Sequence, residues 1–226
     1  LTRIGDAVYV VFAADVDGAC RLGIASTTDF ERFELVSFDS DRDTRNGVLF
    51  PEKIGGRFVR LERPNLSTLE GGVTSGDEIV LSESDDLIDW RIVGPVMGGR
   101  LHYWDELIGS GPPPVKTREG WLHVYHGIAR HFAAGIYQAG VVLLDLEDPQ
   151  KVIARCRTNI LEPRELYEMV GQVPNVIFPG GAIVDEFDDA EFAQPDSKVR
   201  IYYGAADTVV GMARTTIADL LRMCHE

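Results

Sequence analysis

Hydrophobic and polar residues alternate in short runs along most of the chain, and turn residues interrupt the runs every few positions. The stretches "AVYVVFAADV" from Ala7, "RFVRL" from Arg57, "GWLHVYHGI" from Gly120 and "VRIYY" from Val199 are rich in β-branched and aromatic residues, which predicts strands. Each run leads through a loop into a second strand of smaller residues that closes on an acidic turn. The units are "IGDAVYVVFAADVDGACRLGIASTTDFERFE", "IGGRFVRLERPN" with "DEIVLSESDDLIDWR", "TREGWLHVYHGI" with "YQAGVVLLDLEDPQKVI", and "SKVRIYYGAADTVVGMARTTIADLL". Helical periodicity is weak and confined to "LEPRELYEMVG" and the C-terminal "TTIADLLRMCHE".

Repeated strand–loop–strand units predict an all-β fold, a β-propeller of four-stranded blades, with a two-sheet sandwich as the alternative. The first strand of each blade is expected to begin near Ala7, Arg57, Gly120 and Val199. The chain opens on "LTRIGDAVYVV", without Met and inside a strand unit, so residues 1–226 are expected to be one propeller domain, N-terminally incomplete, with about four blades visible.

Composition narrows the function classes. Of 226 residues, 45% are hydrophobic, enough for a sizeable core, and 36 acidic against 22 basic residues give a net charge of −14. Nucleic acid and anionic membranes want a basic field, so neither is expected as a partner. Cys20, Cys156 and Cys224 are scattered without metal or redox spacing, which fits reduced thiols in a cytoplasmic protein. No run of about 18 apolar residues is present. Nor do His and carboxylates cluster at ligand spacing, so no metal is expected.

Against so acidic a background, cations at strand ends stand out. In a propeller, such ends converge on the central channel, which singles out Arg45 and Asn46 ("TRNG"), Arg63 ("LERPN"), Lys116 ("PPPVKT"), His126 ("YHG"), Tyr137 ("IYQAG") and Asp207 ("YGAAD"). Guanidinium groups grip phosphate through paired N–H donors, Lys adds a point charge, and His and Tyr add single hydrogen bonds. Taken singly, each has a plain structural role open to it; their repetition at matching positions points to an oxyanion cradle. The three prolines of "IGSGPPPVKT" form a rigid wall suited to holding Lys116.

The segments "VLFPEKIGGRFVRLERP", "IGSGPPPVKTREGWLHVYHG", "YQAGVVLLDLEDPQKVIAR", "NVIFPGGAIVDE" and "VRIYYGAADTVVGMA" together resemble the β-mannoside phosphorylases of glycoside hydrolase family 130. The resemblance implies a five-bladed propeller that cleaves β-mannosides with inorganic phosphate, inverting configuration and releasing α-mannose 1-phosphate without a separate cofactor. It implies phosphate contacts from Arg45, Arg63, His126 and Tyr137, with Lys116 added from the same motif region. Asn46, Phe178 and Asp207 match positions lining the mannosyl subsite, and Asp105 is expected beside the sugar as well. The family's general acid, an Asp in a Glu-Asp-Pro-Arg-like motif, would fall upstream of Leu1, leaving no catalytic acid within the chain; Asp6 and Asp15 do not match that motif. Where the family often carries a basic residue ahead of "IGxGPPP", this chain has Leu107. Family members commonly assemble, so the resemblance admits a homo-oligomer.

An inverting hydrolase needs two carboxylates, whereas a phosphorylase brings an anionic nucleophile and needs cations in place of one of them. The cationic set therefore favours phosphorolysis. A hydrolase on the same fold would place Asp105 or Glu106 across a water-sized gap from the anomeric carbon. A carbohydrate-binding propeller without turnover is the other rival.

Overall fold

The computed structural model describes residues 1–68, 74–131 and 134–226. Four antiparallel sheets follow one another along the chain. The first holds β1 (Thr2–Ile4), β2 (Ala7–Val16), β3 (Ala19–Thr27) and β4 (Glu34–Phe38), side by side in that order. Next come β5 (Thr44–Leu49) and β6 (Phe58–Pro64), a small hairpin of β7 (Ser67–Thr68) and β8 (Thr74–Ser75), then β9 (Glu78–Ser84) and β10 (Arg91–Gly98), with β5, β6, β9 and β10 forming the second sheet. The third sheet comprises β11 (Leu107–Ser110), β12 (Val115–Thr117), β13 (Gly120–His131), β14 (Ala134–Leu144) and β15 (Val152–Arg155). After a single turn of helix, α1 (Leu166–Met169), the fourth sheet has β16 (Ile177–Val184), β17 (Lys198–Ala205) and β18 (Val209–Thr216), and α2 (Ile217–His225) ends the chain.

Four antiparallel sheets, each drawn from one continuous stretch of chain and following one another in sequence, make a four-bladed propeller arrangement rather than the sandwich. The fifth blade implied by the family resemblance is not among the described sheets. The repeat phase also differs from expectation. The strands starting near Ala7, Arg57, Gly120 and Val199 are each second in their sheet, preceded by β1, β5, β11 and β16. Short, glycine-interrupted inner strands such as "TRNGVL" and "LIGS" lack the aliphatic alternation that reveals a strand. Of the two helical patterns, only the C-terminal one becomes a full helix. Thr216 caps it by accepting the Asp219 N–H at 3.1 Å, and Ile217, Leu220, Leu221 and Cys224 bury its inner face.

The repeated acidic corner has a local cause. Thr27 Oγ1 accepts the N–H groups of Asp29 and Phe30, and Asp29 Oδ1 accepts those of Glu31 and Arg32. Ser84 and Asp86 do the same for Asp86, Leu87, Ile88 and Asp89. Backbone N–H donors hold both carboxyls below the ordinary Asp range. Hydroxyl and carboxylate thus replace backbone partners where the chain turns, so the corner recurs as a sequence signature.

Alternation along β6 sorts its charges. Arg60 and Glu62 share one face, Leu61 and Arg63 the other. Arg60 is fully buried; its Nε donates to Glu62 at 2.7 Å and its Nη2 to Asp39 at 2.6 Å, while Trp90 lies under the guanidinium at 4.2 Å. Arg42 donates to the same two carboxylates at 2.6 and 2.9 Å. The balanced network ties the loop after β4 to the second sheet. The main apolar core runs through the second, third and fourth sheets around Phe50 and Trp121, whose rings meet edge-on at 5.1 Å.

Candidate active site

Inner strands and strand ends gather most of the expected residues. Arg45 and Asn46 follow Thr44 at the start of β5, and a bulge between Arg45 and Val48 turns Asn46 into the left-handed region, at φ 54°. Arg45 then stands directly across the ladder from Arg63 at the end of β6. Like charges in cross-strand register repel, so this pairing wants an anion near it.

Arg63 is 5% exposed and has no carboxylate in contact among the described residues. Its Nη2 donates to Asn65 Oδ1 at 2.7 Å and its Nη1 to Ser75 Oγ at 3.2 Å. Asn65 in turn donates to Asp43 at 2.6 Å, so the nearest negative charge acts through an amide. Burial, aided by Arg45, lowers the Arg63 pKa to about 10, leaving it cationic at neutral pH. Arg45 is half-exposed and pairs with Asp15 at 2.6 Å.

His126, on β13, is buried and in register with Gly109 of β11. A Cβ at Gly109 would lie 2.4 Å from His126 Cε1 and 2.7 Å from Asn46 Oδ1, so that glycine of "IGSG" is needed for the close approach. Burial first, and Arg63 second, lower the His126 pKa to about 3. The imidazole is therefore neutral at pH 7 and offers one N–H rather than a charge, which reduces the cationic set. Tyr137 of β14 lies 6.1 Å from His126 between ring centroids, and Phe178 of β16 lies 4.5 Å from the imidazole. Burial raises the Tyr137 phenol, with Arg63 opposing, so it is a hydroxyl donor. Asp207, at φ 50° in the turn between β17 and β18, is exposed and close enough for its charge to act on Tyr137.

Nine buried side-chain polar atoms lack a partner among the described residues, and six belong here: Thr44 Oγ1, Arg45 Nε, Asn46 Oδ1, Arg63 Nε, Ser110 Oγ and His126 Nδ1. Such atoms are costly unless a ligand satisfies them, and their concentration on β5, β6, β11 and β13 marks a polar binding site. Asn46, Ser110 and Phe178 also line a cavity of about 170 Å³. Thr44 and Ser110 were missed from the sequence, although they sit within "TRNG" and "IGSG"; a lone hydroxyl carries little signal until its partners are known to be absent.

Two expected residues stand elsewhere. Lys116, in β12, pairs with Trp121, five residues along β13 from His126 and thus about 16 Å away. Its Nζ donates to Glu52 at 2.7 Å and lies 4.7 Å from the Phe192 ring. The rigid prolines do hold it, but toward an ion pair outside the cradle. Asp105 is fully buried; Arg100 grips it through two bonds of 2.7 Å, Arg155 donates at 2.6 Å and the Tyr125 hydroxyl at 2.8 Å. Its charge is neutralised by two arginines and its side chain is closed off from the surface, so Asp105 is a structural anchor. Glu106 is paired through one oxygen with Arg130 at 2.6 Å. Leu107 is buried on β11 opposite Ile128.

Two opposed arginines, a neutral imidazole, a phenol and an amide can hold an oxyanion, and the amide also lines the cavity next to Phe178. Fold and site together describe a propeller with a cluster of cationic and unpartnered polar groups. The chain belongs to glycoside hydrolase family 130: the family profile described as beta-1,4-mannooligosaccharide phosphorylase matches residues 1–226. It is 38% identical to a beta-1,4-mannooligosaccharide phosphorylase of Ruminococcus albus, over 96% of this chain and 62% of that protein. It is 34% identical to a 1,2-beta-oligomannan phosphorylase of a Thermoanaerobacter species, over 94% and 64%. The solved beta-1,2-mannobiose phosphorylase of Listeria innocua, in complex with beta-1,2-mannobiose, superposes with a TM-score of 0.80 at 34% identity, covering 99% of this chain and 58% of that one. The chain thus spans about six-tenths of the length of these relatives. Among the described residues, no helix is long and apolar enough to cross a membrane.

Proposed function

We propose that the protein cleaves β-mannosides with inorganic phosphate, inverting configuration at the anomeric carbon and releasing α-mannose 1-phosphate. The observation that carries this reading is the register pairing of Arg45 with Arg63, the latter buried without a contacting carboxylate and surrounded by unpartnered polar atoms. Phosphate between the guanidiniums would relieve their repulsion, accept the free Nε–H groups and present an oxygen to the sugar. His126 and Tyr137 would each donate one hydrogen bond to it. Asn46, Phe178 and Asp207 would line the mannosyl ring. Phosphate serves as co-substrate and no further cofactor takes part.

The proton for the leaving oxygen is assigned, following the family resemblance alone, to an Asp N-terminal to Leu1, in a segment that would also complete a fifth blade. Residues 1–226 would then be the larger part of one cytoplasmic catalytic propeller that works on soluble oligosaccharides, apart from nucleic acid and membrane, and assembles as a homo-oligomer. Relatives of similar identity carry names with β-1,4 and β-1,2 linkages, so the proposal is made for β-mannosides as a class. Hydrolysis is disfavoured by the occupation of Asp105 and Glu106 in ion pairs.

The test incubates the protein, extended by its upstream residues, with β-1,4- and β-1,2-mannobiose, with and without phosphate, and follows the products by phosphorus NMR. Phosphate-dependent mannose 1-phosphate is the expected result. Free mannose at equal rates in both tubes would make it a hydrolase, and binding without any product would make it a lectin-like propeller.

A further inference from the structure

The β13–β14 ribbon has two faces, and the cradle uses only one. Residues directly opposite on paired strands share a face, so the pairs His126–Ala139 and Ile128–Tyr137 lie on the cradle side, while Gly127–Gln138 and Ala129–Ile136 lie on the other. On that second face opens a cavity of about 840 Å³, well within the range that encloses small organic ligands.

Its walls are built. Trp104 lies across the ribbon where Gly127 and Gly140 leave room; a Cβ at either would come within 2.6 and 2.3 Å of the indole. The indole N–H donates to the Arg157 carbonyl at 3.0 Å and the ring stacks on Tyr125 at 5.7 Å, which fixes it in place. Arg100, anchored twice on Asp105, presses its guanidinium on the Tyr103 ring at 4.4 Å. Tyr103 nonetheless remains 41% exposed at the cavity edge.

The polar lining is matched to a neutral ligand. Glu106 is paired with Arg130 at 2.6 Å and Glu162 with Arg164 at 2.8 Å, so no lone charge faces the cavity among the described residues. Gln138 is 5% exposed, and its Oε1 is taken by Asn159, which leaves its amide nitrogen as the donor offered to the cavity. Fixed aromatic rings beside planar amide and paired carboxylate groups suit sugar rings, whose C–H faces stack and whose hydroxyls both donate and accept.

We propose that this groove is a second saccharide site, which holds units of a β-mannooligosaccharide beyond those in the cradle. The identity of the sugar rests on the function proposed above; the existence of a neutral-saccharide groove does not. Because both sites share one ribbon, a long chain would be gripped at two points, raising its apparent affinity.

The test, on the protein extended by its upstream residues, is calorimetric binding of β-1,4- and β-1,2-mannohexaose without phosphate, alongside phosphorolysis of mannobiose and mannohexaose. Tyr103→Ala and Gln138→Leu, each checked for folding by circular dichroism, are expected to weaken hexaose binding and raise the hexaose KM about tenfold while leaving mannobiose turnover unchanged. Indole fluorescence from Trp104 should respond to hexaose. Unaltered hexaose binding in both folded variants would overturn the groove. Loss of hexaose binding without any mannose 1-phosphate in the parent protein would uphold the groove and reject the phosphorylase reading.

Discussion

Arg45 and Arg63 face each other across the β5–β6 ladder, one half-exposed beside Asp15 and the other buried with no acid in contact. Two guanidiniums in register are unfavourable in an empty protein and favourable around a doubly charged anion. The pair therefore sets aside stability for binding, and the consequences can be measured.

Arg63→Ala should lower phosphate-dependent turnover by two to three orders of magnitude, about 3–4 kcal/mol of transition-state stabilisation, as for loss of a buried charged donor. The protein without phosphate should melt at the same temperature or slightly higher, since repulsion with Arg45 is relieved. The upward shift of melting temperature that phosphate gives the parent protein should vanish. A variant that is simply unfolded would make Arg63 a structural residue.

Asp15 occupies with its carboxylate a place on Arg45 that phosphate would claim, at 2.6 Å. Asp15→Asn should lower the KM for phosphate severalfold. Stability should change by less than about 1 kcal/mol, because the pair is exposed to solvent. An unchanged or raised phosphate KM would show that Asp15 orients Arg45 instead of competing for it.

Lys116→Met should leave the phosphate KM unaltered, since the ammonium is committed to Glu52. Asp105→Ala should instead unfold the protein or cost about 3–5 kcal/mol, by leaving Arg100 and Arg155 without their shared counter-charge. If Asp105→Ala melts normally but no longer binds mannosides, the residue belongs to the sugar site after all. Urea midpoints and mannobiose titrations separate these outcomes.

Acid should destabilise the fold in two stages. Buried His123 and His126 have pKa values lowered from 6.5 to about 3 by desolvation, so the unfolded chain binds protons that the folded one does not. Stability from these groups is complete above pH 6.5 and falls as pH drops from there toward 3, by up to roughly 1.4 kcal/mol per pH unit for each histidine. Asp29 and Asp86, whose carboxyls are held below 3.8 by backbone N–H groups, add their loss only below about pH 4. Urea midpoints measured from pH 7 to 5 should already decline; a flat profile across that window would mean that one or both imidazoles are hydrated.

Recurring local chemistry made the blades legible. The Ser or Thr with Asp at the first two corners acts within a few residues, so its signature survives in the sequence. The short inner strands were not legible, because "TRNGVL" and "LIGS" are held by neighbours far along the chain and keep their glycines for close approach, not for strand propensity. Among site residues, those on β5, β6, β13, β14 and β16 came together, while Lys116 and Asp105 did not. A cation or a carboxylate in a motif looks the same whether it meets a ligand or a partner such as Glu52 or Arg155.

The sequence by itself determined the all-β repeat, the acidic corners, the C-terminal helix and the family, since these rest on alternation, capping and motifs that act locally or recur as strings. Tertiary structure alone decided which charges are spent and which are free. It joined Arg60 to Glu62 and Asp39, turned Arg63 to the opposite face, made His126 neutral and set a second groove behind the cradle. Pairing partners, burial and the face a side chain takes depend on contacts between distant strands, and the local order of residues does not encode them one position at a time.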